Sequence, residues 1–224
     1  GYLNNTQGKN AARINVSSSF YDNDFEIPVP KNLVSRTILT DRYIKSLQEH
    51  GILWIHGSLS TGKTSIAVCI SKKLAGTIIW VECRSIEEEQ LIEHILNAIS
   101  INLQINPCIT DRFKAVVVKL TKNLTIDTTI ILNDLPKLTP ARKYKDRLSY
   151  FLGEIINANS TVLVTSNFLA PESFIDLDDL PIIHEEIPPF TTSETSDLLM
   201  TFGASEDVRN CLKAILTSST QGNP

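Results

Sequence analysis

Basic residues are not in excess in this sequence of 224 residues, where 21 Lys and Arg stand against 25 Asp and Glu. The formal net charge of −4 argues weakly against a dedicated nucleic-acid-binding surface. No run of about 18 apolar residues occurs, so no membrane-spanning helix is predicted. The first residues also lack the basic and apolar regions of a signal peptide, which favours a cytoplasmic location.

Cysteine is scarce, and its spacing excludes two further classes. The four cysteines, Cys69, Cys83, Cys108 and Cys211, are far apart and form no C-x-x-C or Cys/His pattern. They therefore predict neither a zinc site nor a disulfide framework, and buried free thiols are expected. The chain begins without methionine and ends directly after a helical pattern, so we expect it to be a piece of a longer protein.

Hydrophobic residues make up 42% of the chain, which is enough for a substantial core. Short apolar runs at 52–55, 77–81, 128–132, 160–164 and 182–187 predict strands, the last of them at an edge. Amphipathic segments between these runs predict helices, with N-caps at Thr40, Ser85 and Thr191. This alternation predicts an α/β fold, a three-layer α/β/α sandwich around a mostly parallel sheet of about five strands.

One motif dominates the sequence. The stretch Gly57, Ser58, Leu59, Ser60, Thr61, Gly62, Lys63, Thr64 meets every fixed position of the G-x-x-x-x-G-K-[ST] phosphate-binding loop, and Ser65 continues into the helix that follows. The loop lies between a buried strand and a helix, which is the context that the motif requires. Its backbone N–H groups are expected to wrap phosphates, with Lys63 against the β- and γ-phosphates and Thr64 on Mg²⁺.

Polar residues follow two of the predicted strands. Asn133 and Asp134 come after the third strand, and Asn167 follows the fourth. Because the carboxyl ends of parallel strands share one edge of the sheet, these residues are expected to face the phosphate loop. Asn133 and Asp134 are the candidate catalytic residues, with Thr64 and Asp134 the candidate metal ligands.

Together with the turn at 187–191 and the terminal Gly222-Asn223-Pro224, these motifs resemble the STAND class of P-loop ATPases, which includes NACHT and NB-ARC proteins. The resemblance spans about residues 33–224. It implies an ATP/ADP- and Mg²⁺-binding switch in signalling or defence, which self-associates and works with effector and sensor domains elsewhere in a full-length chain. It also implies nucleotide contacts from Arg36, in an h-G-R-like segment, and from Pro224, in a G-x-P motif near the adenine.

The residues at the end of the third predicted strand depart from the pattern of this family, which usually has two acidic residues there. If Leu132-Asn133-Asp134 aligns with hydrophobic-Asp-Asp, Asn133 replaces the metal-orienting acid. If the alignment slides by one residue, Asp134 takes that role and Leu135 stands where a catalytic acid belongs. One carboxylate is missing in either case, so slow or negligible hydrolysis with binding intact is predicted.

Two other departures keep alternatives open. Asn167 stands where many STAND proteins have an arginine, and it resembles the polar sensor of AAA+ ATPases and some viral helicases; Ser35 replaces a glycine beside Arg36. An AAA+ or helicase-like ATPase that remodels protein or nucleic acid is therefore the alternative, although nucleic acid is not expected as a direct ligand of this chain. A small-molecule kinase is least favoured, because no Arg-rich lid is present.

The predicted organisation is an N-terminal arm at 1–32, a P-loop NTPase core at 33–190, and the start of a small helical domain at 191–224.

Overall fold

The computed structural model describes residues 27–28, 30–106, 112–139, 142–171 and 180–220. Within these ranges the chain forms seven helices and five strands. In chain order they are α1 (Thr37–His50), β1 (Ile52–His56), α2 (Lys63–Lys73), β2 (Ile78–Glu82), α3 (Glu88–Asn102), α4 (Phe113–Thr121), β3 (Thr129–Leu135), α5 (Arg142–Asn157), β4 (Thr161–Ser166), β5 (Ile182–Glu186), α6 (Thr192–Thr201) and α7 (Glu206–Thr220).

The strands form one sheet in the order β2-β3-β4-β1-β5. Every neighbouring pair is parallel, as the alternation of strands and helices predicts. The strand before the phosphate loop, β1, lies between β4 and β5, so the loop leaves the sheet from an interior strand. All five carboxyl ends therefore share one edge, which is where ligands bind in open α/β sheets.

Helices cover both faces of this sheet and give it two hydrophobic cores. Leu53 and Ile55 of β1 pack into one core with Tyr43 of α1 and the apolar stripe of α2. Ile52 and Trp54 face the other core, together with α3, α4 and α5. Successive side chains of a strand point to opposite faces, so a wholly apolar run such as β1 is stable only between two helical layers. The predicted three-layer α/β/α fold is confirmed.

Each of the five predicted strands is present, and the last is the edge strand β5, as predicted. The capping box of Thr191 and Glu194 is also confirmed, because the Thr191 hydroxyl accepts from the Glu194 N–H and the Glu194 carboxylate accepts from the Thr191 N–H. Gly51 ends α1 with φ 81°, in the left-handed region that glycine adopts at low cost.

Two other predicted caps are wrong. Helix α1 begins at Thr37 with Arg36 as its N-cap residue, and Thr40 is a buried residue inside the helix. Helix α3 begins at Glu88 after Glu87, whereas Ser85 takes φ 62° in the turn that precedes it. Neither helix has a hydrogen bond from the side chain of its N-cap residue, so the local capping patterns did not predict where these helices begin.

Some sequence-based expectations fall outside the described residues, namely the first 26 residues of the N-terminal arm and the G-x-P motif with Pro224. The boundaries at 32 and 190 stay predictions. In the part of the chain that is described, none of the helices combines the length and apolar character needed to cross a bilayer.

Candidate functional site

The phosphate loop occupies residues 57–64, between the end of β1 and the first turn of α2. Gly57 and Gly62 have φ angles of 155° and 84°, which residues other than glycine rarely adopt. A Cβ on Gly57 would lie 2.7 Å from Cγ2 of Ile187, the residue after β5. Both positions therefore need glycine for conformation, and Gly57 needs it for space as well. The loop thus turns sharply and presents the N-terminus of α2 to the cleft above it.

Lys63 is buried and folds back over the loop. Its Nζ donates hydrogen bonds to the carbonyl oxygens of Gly57 at 2.9 Å and Ser58 at 2.6 Å. Burial lowers the pKa of Lys63 below its usual value, while the negative charge of Asp134 acts in the opposite direction. The hydrogen-bond partners of the ammonium are neutral, namely these two carbonyls and the Thr61 hydroxyl at 3.4 Å, so an incoming phosphate would give it a full counter-charge.

The side chain of Thr64 contacts the amide of Asn133 at the carboxyl end of β3. Its hydroxyl donates to Oδ1 of Asn133 at 3.2 Å, and the hydroxyl of Thr165 on β4 donates to the same oxygen at 2.9 Å. The Asn133 Nδ2 in turn donates to a carboxylate oxygen of Glu82 on β2 at 2.8 Å. Asn133 is completely buried. Four side chains from the phosphate-loop helix and three strands are therefore linked into one hydrogen-bond network.

Strand β3 is irregular at this point. Leu132 pairs with Val164 and Leu135 with Ser166, so Asn133 and Asp134 together oppose Thr165 alone. Such a bulge turns a side chain away from the regular strand pattern. Asp134 takes φ 56°, its N–H donates to the Thr165 hydroxyl at 2.8 Å, and its carboxylate lies in the cleft.

The Asp134 carboxylate is paired within the cleft. It accepts a hydrogen bond from Nε of Arg84 at 2.8 Å, and Arg84 itself is largely exposed. The hydrogen bond to Asp134 is the main cause that raises the pKa of Arg84. The ion pair thus neutralises Asp134 in this conformation.

The cleft above the loop has a volume of about 610 Å³. Its lining consists of loop and α2 residues together with three polar residues from strand ends or the turns after them: Leu59, Ser60, Thr61, Gly62, Lys63, Thr64, Ser65, Arg84, Asp134 and Asn167. Oδ1 of Asn167 is buried and has no hydrogen-bond partner among the described residues. The sequence-predicted loop residues 59–65, Asp134 and Asn167 are therefore brought together around one space.

Arg36 does not line this cleft. Its guanidinium donates to both carboxylate oxygens of Glu194, at 2.9 and 3.2 Å, and to the carbonyl oxygens of Pro188 and Pro189. The guanidinium also lies 4.7 Å from the ring centre of Phe190. The nucleotide contact expected of Arg36 stays a prediction, and the structure gives its guanidinium four hydrogen bonds to other partners.

Sequence reasoning missed two residues of the site, Glu82 and Arg84. Both lie at the end of β2 or just after it, and Glu82 is in register with Asn133. The only signal in the sequence was their position at the carboxyl end of a predicted buried strand. It could not be recognised without the strand order, which makes β2 the neighbour of β3.

The residues present fit a nucleotide with Mg²⁺. The glycine cradle and α2 N-terminus suit phosphate, and Asn167 adds a polar side chain to the lining of the cleft. No group of three or more His, Cys, Asp or Glu that could hold a metal occurs in the described ranges. Mg²⁺ is commonly bound through one or two protein oxygens together with phosphates and water. Thr64 is the candidate metal ligand on α2, and the role of Asp134, as metal ligand or as catalytic acid, stays a prediction.

No protein-family model matches the chain, and no curated protein matches it. Solved structures do. A Signal Transduction ATPase with Numerous Domains (STAND) protein with a tetratricopeptide repeat sensor, from Pyrococcus horikoshii, aligns over 88% of this chain with a TM-score of 0.55 and 19% identity. A Walker-type ATPase of Pyrococcus abyssi aligns over 85% with a TM-score of 0.55 and 13% identity. The ORC1 protein of Aeropyrum pernix, in complex with DNA, aligns over 84% with a TM-score of 0.53 and 20% identity.

The chain covers 29%, 66% and 56% of these three proteins, respectively. At such identities the similarity establishes the fold. The chain has the fold of P-loop NTPases of the STAND and AAA+ type.

Proposed function

We propose that this chain is the ATP/ADP-binding switch domain of a STAND-type signalling or defence protein. Nucleotide state would control its conformation and self-association, with effector and sensor domains elsewhere in a longer chain. Thr64 would help to hold Mg²⁺, which when bound would neutralise part of the phosphate charge. The loop residues 57–65, with Lys63, would bind the phosphates, and Asn167 would contribute a polar contact.

The observation that carries this proposal is the hydrogen bond between Thr64 and Asn133. The loop side of the site is complete, while the strand-end side presents a neutral amide to the hydroxyl that would bind Mg²⁺. This contact supports the alignment in which Asn133 takes the place of the metal-orienting acid, leaving Asp134 as the candidate catalytic acid. A phosphate loop with an amide at that position favours binding over turnover.

One of the two carboxylate oxygens of Asp134 is already occupied. Its Oδ2 accepts from Arg84 at 2.8 Å, so only Oδ1 is left to accept a proton from an attacking water. A general base must reach the attacking water with a free acceptor oxygen. Loss of a positioned base or metal contact costs roughly 10²-fold or more in rate, which supports slow hydrolysis.

The test combines turnover with conformation. We expect ATP turnover below about 1 s⁻¹, the lower end of ordinary enzyme rates. We also expect different limited-proteolysis patterns and different masses by light scattering with ADP and with a non-hydrolysable ATP analogue. Faster turnover, or identical behaviour with both nucleotides, would contradict the switch.

A second function is favoured by the polar Asn167 at the end of β4, which resembles the AAA+ sensor position. Among the similar structures, ORC1 is in complex with DNA and DnaA is bound to AMPPCP and single-stranded DNA. A remodelling ATPase would show turnover that single- or double-stranded DNA, or a protein polymer, accelerates. We expect no such acceleration for this chain.

A further inference from the structure

The orientation of the Asn133 amide is fixed by Glu82. A carboxylate only accepts hydrogen bonds, so the amide nitrogen of Asn133 must face the Glu82 oxygen 2.8 Å away. The amide oxygen therefore faces the hydroxyls of Thr64 and Thr165. Those hydroxyls alone could not fix the orientation, because each can donate or accept.

Glu82 is held in register with Asn133 by the backbone. The two residues are paired in the parallel β2–β3 ladder, and the N–H of Cys83 donates to the Asn133 carbonyl at 2.8 Å. The second Glu82 oxygen accepts from the Arg84 N–H at 3.3 Å. The carboxylate is thus fixed one strand away from the position where the resemblance expects an acid.

We propose that Glu82 supplies, from β2, the carboxylate that position 133 of β3 lacks, so that Glu82 and Asn133 form one exchanged acid–amide pair behind Thr64. Glu82 is a positioning residue in this scheme. It acts through Asn133, whose amide oxygen orients the Thr64 hydroxyl for Mg²⁺. The inference rests on the proposed nucleotide site, but the pair itself is a property of the protein without ligand.

An exchanged acid–amide pair predicts how substitutions of Glu82 and Asn133 affect stability when they are combined. Asn133→Asp places a second carboxylate against Glu82, at a buried position where like charges repel strongly. Combining it with Glu82→Gln restores one acid and one amide, with the acid now on β3. The double variant should therefore be more stable than Asn133→Asp alone, although it carries one more substitution.

The experiment is a double-mutant cycle of Glu82→Gln and Asn133→Asp, with Glu89→Gln as the control. Glu89 is an exposed acid in the first turn of α3. Thermal unfolding without nucleotide is the first readout, and ATP affinity by calorimetry, with Mg²⁺ and with EDTA, is the second. Asn133→Asp should melt lowest of the four cycle members, and adding Glu82→Gln should raise its melting temperature.

Glu82→Gln should weaken the affinity for ATP in the presence of Mg²⁺ by about tenfold or more, which is the usual effect of losing the hydrogen-bond partner that orients a metal ligand. It should leave the affinity in EDTA nearly unchanged. The double variant should recover Mg²⁺-dependent binding, and Glu89→Gln should behave as wild type.

Additive melting changes in the cycle would overturn the exchanged pair, whether or not ATP binds. Unchanged Mg²⁺ dependence in Glu82→Gln would overturn the positioning role. Absence of ATP binding in the wild type would refute the proposed function and the positioning role with it, while the melting data would still decide whether the pair exists.

Discussion

At the scale of single residues, Thr165 is the point where the strand-end network is held together. Its hydroxyl donates to Asn133 and accepts from the backbone N–H of Asp134, and Thr165 is completely buried. One hydroxyl therefore stabilises both the amide behind the phosphate loop and the bulge that aims Asp134 into the cleft. Because Thr165 is completely buried, bulk solvent does not reach this hydroxyl to replace it.

Thr165→Val keeps the shape of the side chain and removes both hydrogen bonds. The buried N–H of Asp134 loses its acceptor, so we expect the free energy of unfolding in urea to fall by about 1–3 kcal/mol.

Thr161→Val is the matched control, on the same strand. Its hydroxyl pairs only with that of Thr129, at 2.9 Å, in a half-buried position. We expect a loss of about 1 kcal/mol or less there. Equal losses in the two variants would contradict the central position of Thr165.

At the scale of elements, the Arg36–Glu194 ion pair joins the segment before α1 to the first turn of α6. Arg36 is buried, and Glu194 also accepts from the Thr191 N–H as part of its capping box. Burial alone would raise the pKa of Glu194, but hydrogen bonds from Arg36 and Thr191 and the charge of Arg36 outweigh it and lower the pKa. The charged carboxylate thus stabilises the folded state.

Glu194→Gln should lower the free energy of unfolding by roughly 1.5–3 kcal/mol at neutral pH, the range for hydrogen bonds to charged groups. Because the folded pKa is lowered, this contribution is fully present above the ordinary glutamate pKa of about 4.3 and is lost as pH falls through the folded value. Denaturation from pH 7 to pH 3 should show the two proteins converging.

The control is Glu185→Gln, whose partner Arg42 is mostly exposed. Exposed pairs contribute about 0–1 kcal/mol, so a small and nearly pH-independent change is expected. A pH-independent loss in Glu194→Gln would contradict the assignment.

These elements also mark the limit of prediction from sequence. The strands were predictable because apolar runs such as β1 have one stable environment, between two helical layers. The start of α1 was not, since it depends on Arg36 reaching a carboxylate 158 positions away in the chain. The Glu82–Asn133 and Arg84–Asp134 pairs likewise depend on strand order. The bulge of β3 could not be predicted either, because the residues Asn133-Asp134 are not a recognisable pattern for a bulge.

At the scale of the whole molecule, the sheet gathers onto one edge the groups that a nucleotide requires. The phosphate loop was predictable, because its glycines, Lys63 and Thr64 have fixed spacing and a strand–loop–helix context. The chemistry on the opposite side of the cleft was predictable only in part. Asn133 places an amide beside Thr64. Of the two carboxylates nearby, that of Glu82 lies on the neighbouring strand β2, and that of Asp134 forms an ion pair with Arg84.

Residues 57–64 are proposed to bind nucleotide, and the direct test is calorimetric titration of Mg²⁺-ATP into wild type, Lys63→Ala and Lys72→Ala. Lys72 is an exposed lysine at the other end of α2, which controls for lost charge and for helix propensity. We expect binding by wild type and Lys72→Ala and no detectable binding by a folded Lys63→Ala. Binding of equal strength in Lys63→Ala, or none in the wild type, would contradict this proposal.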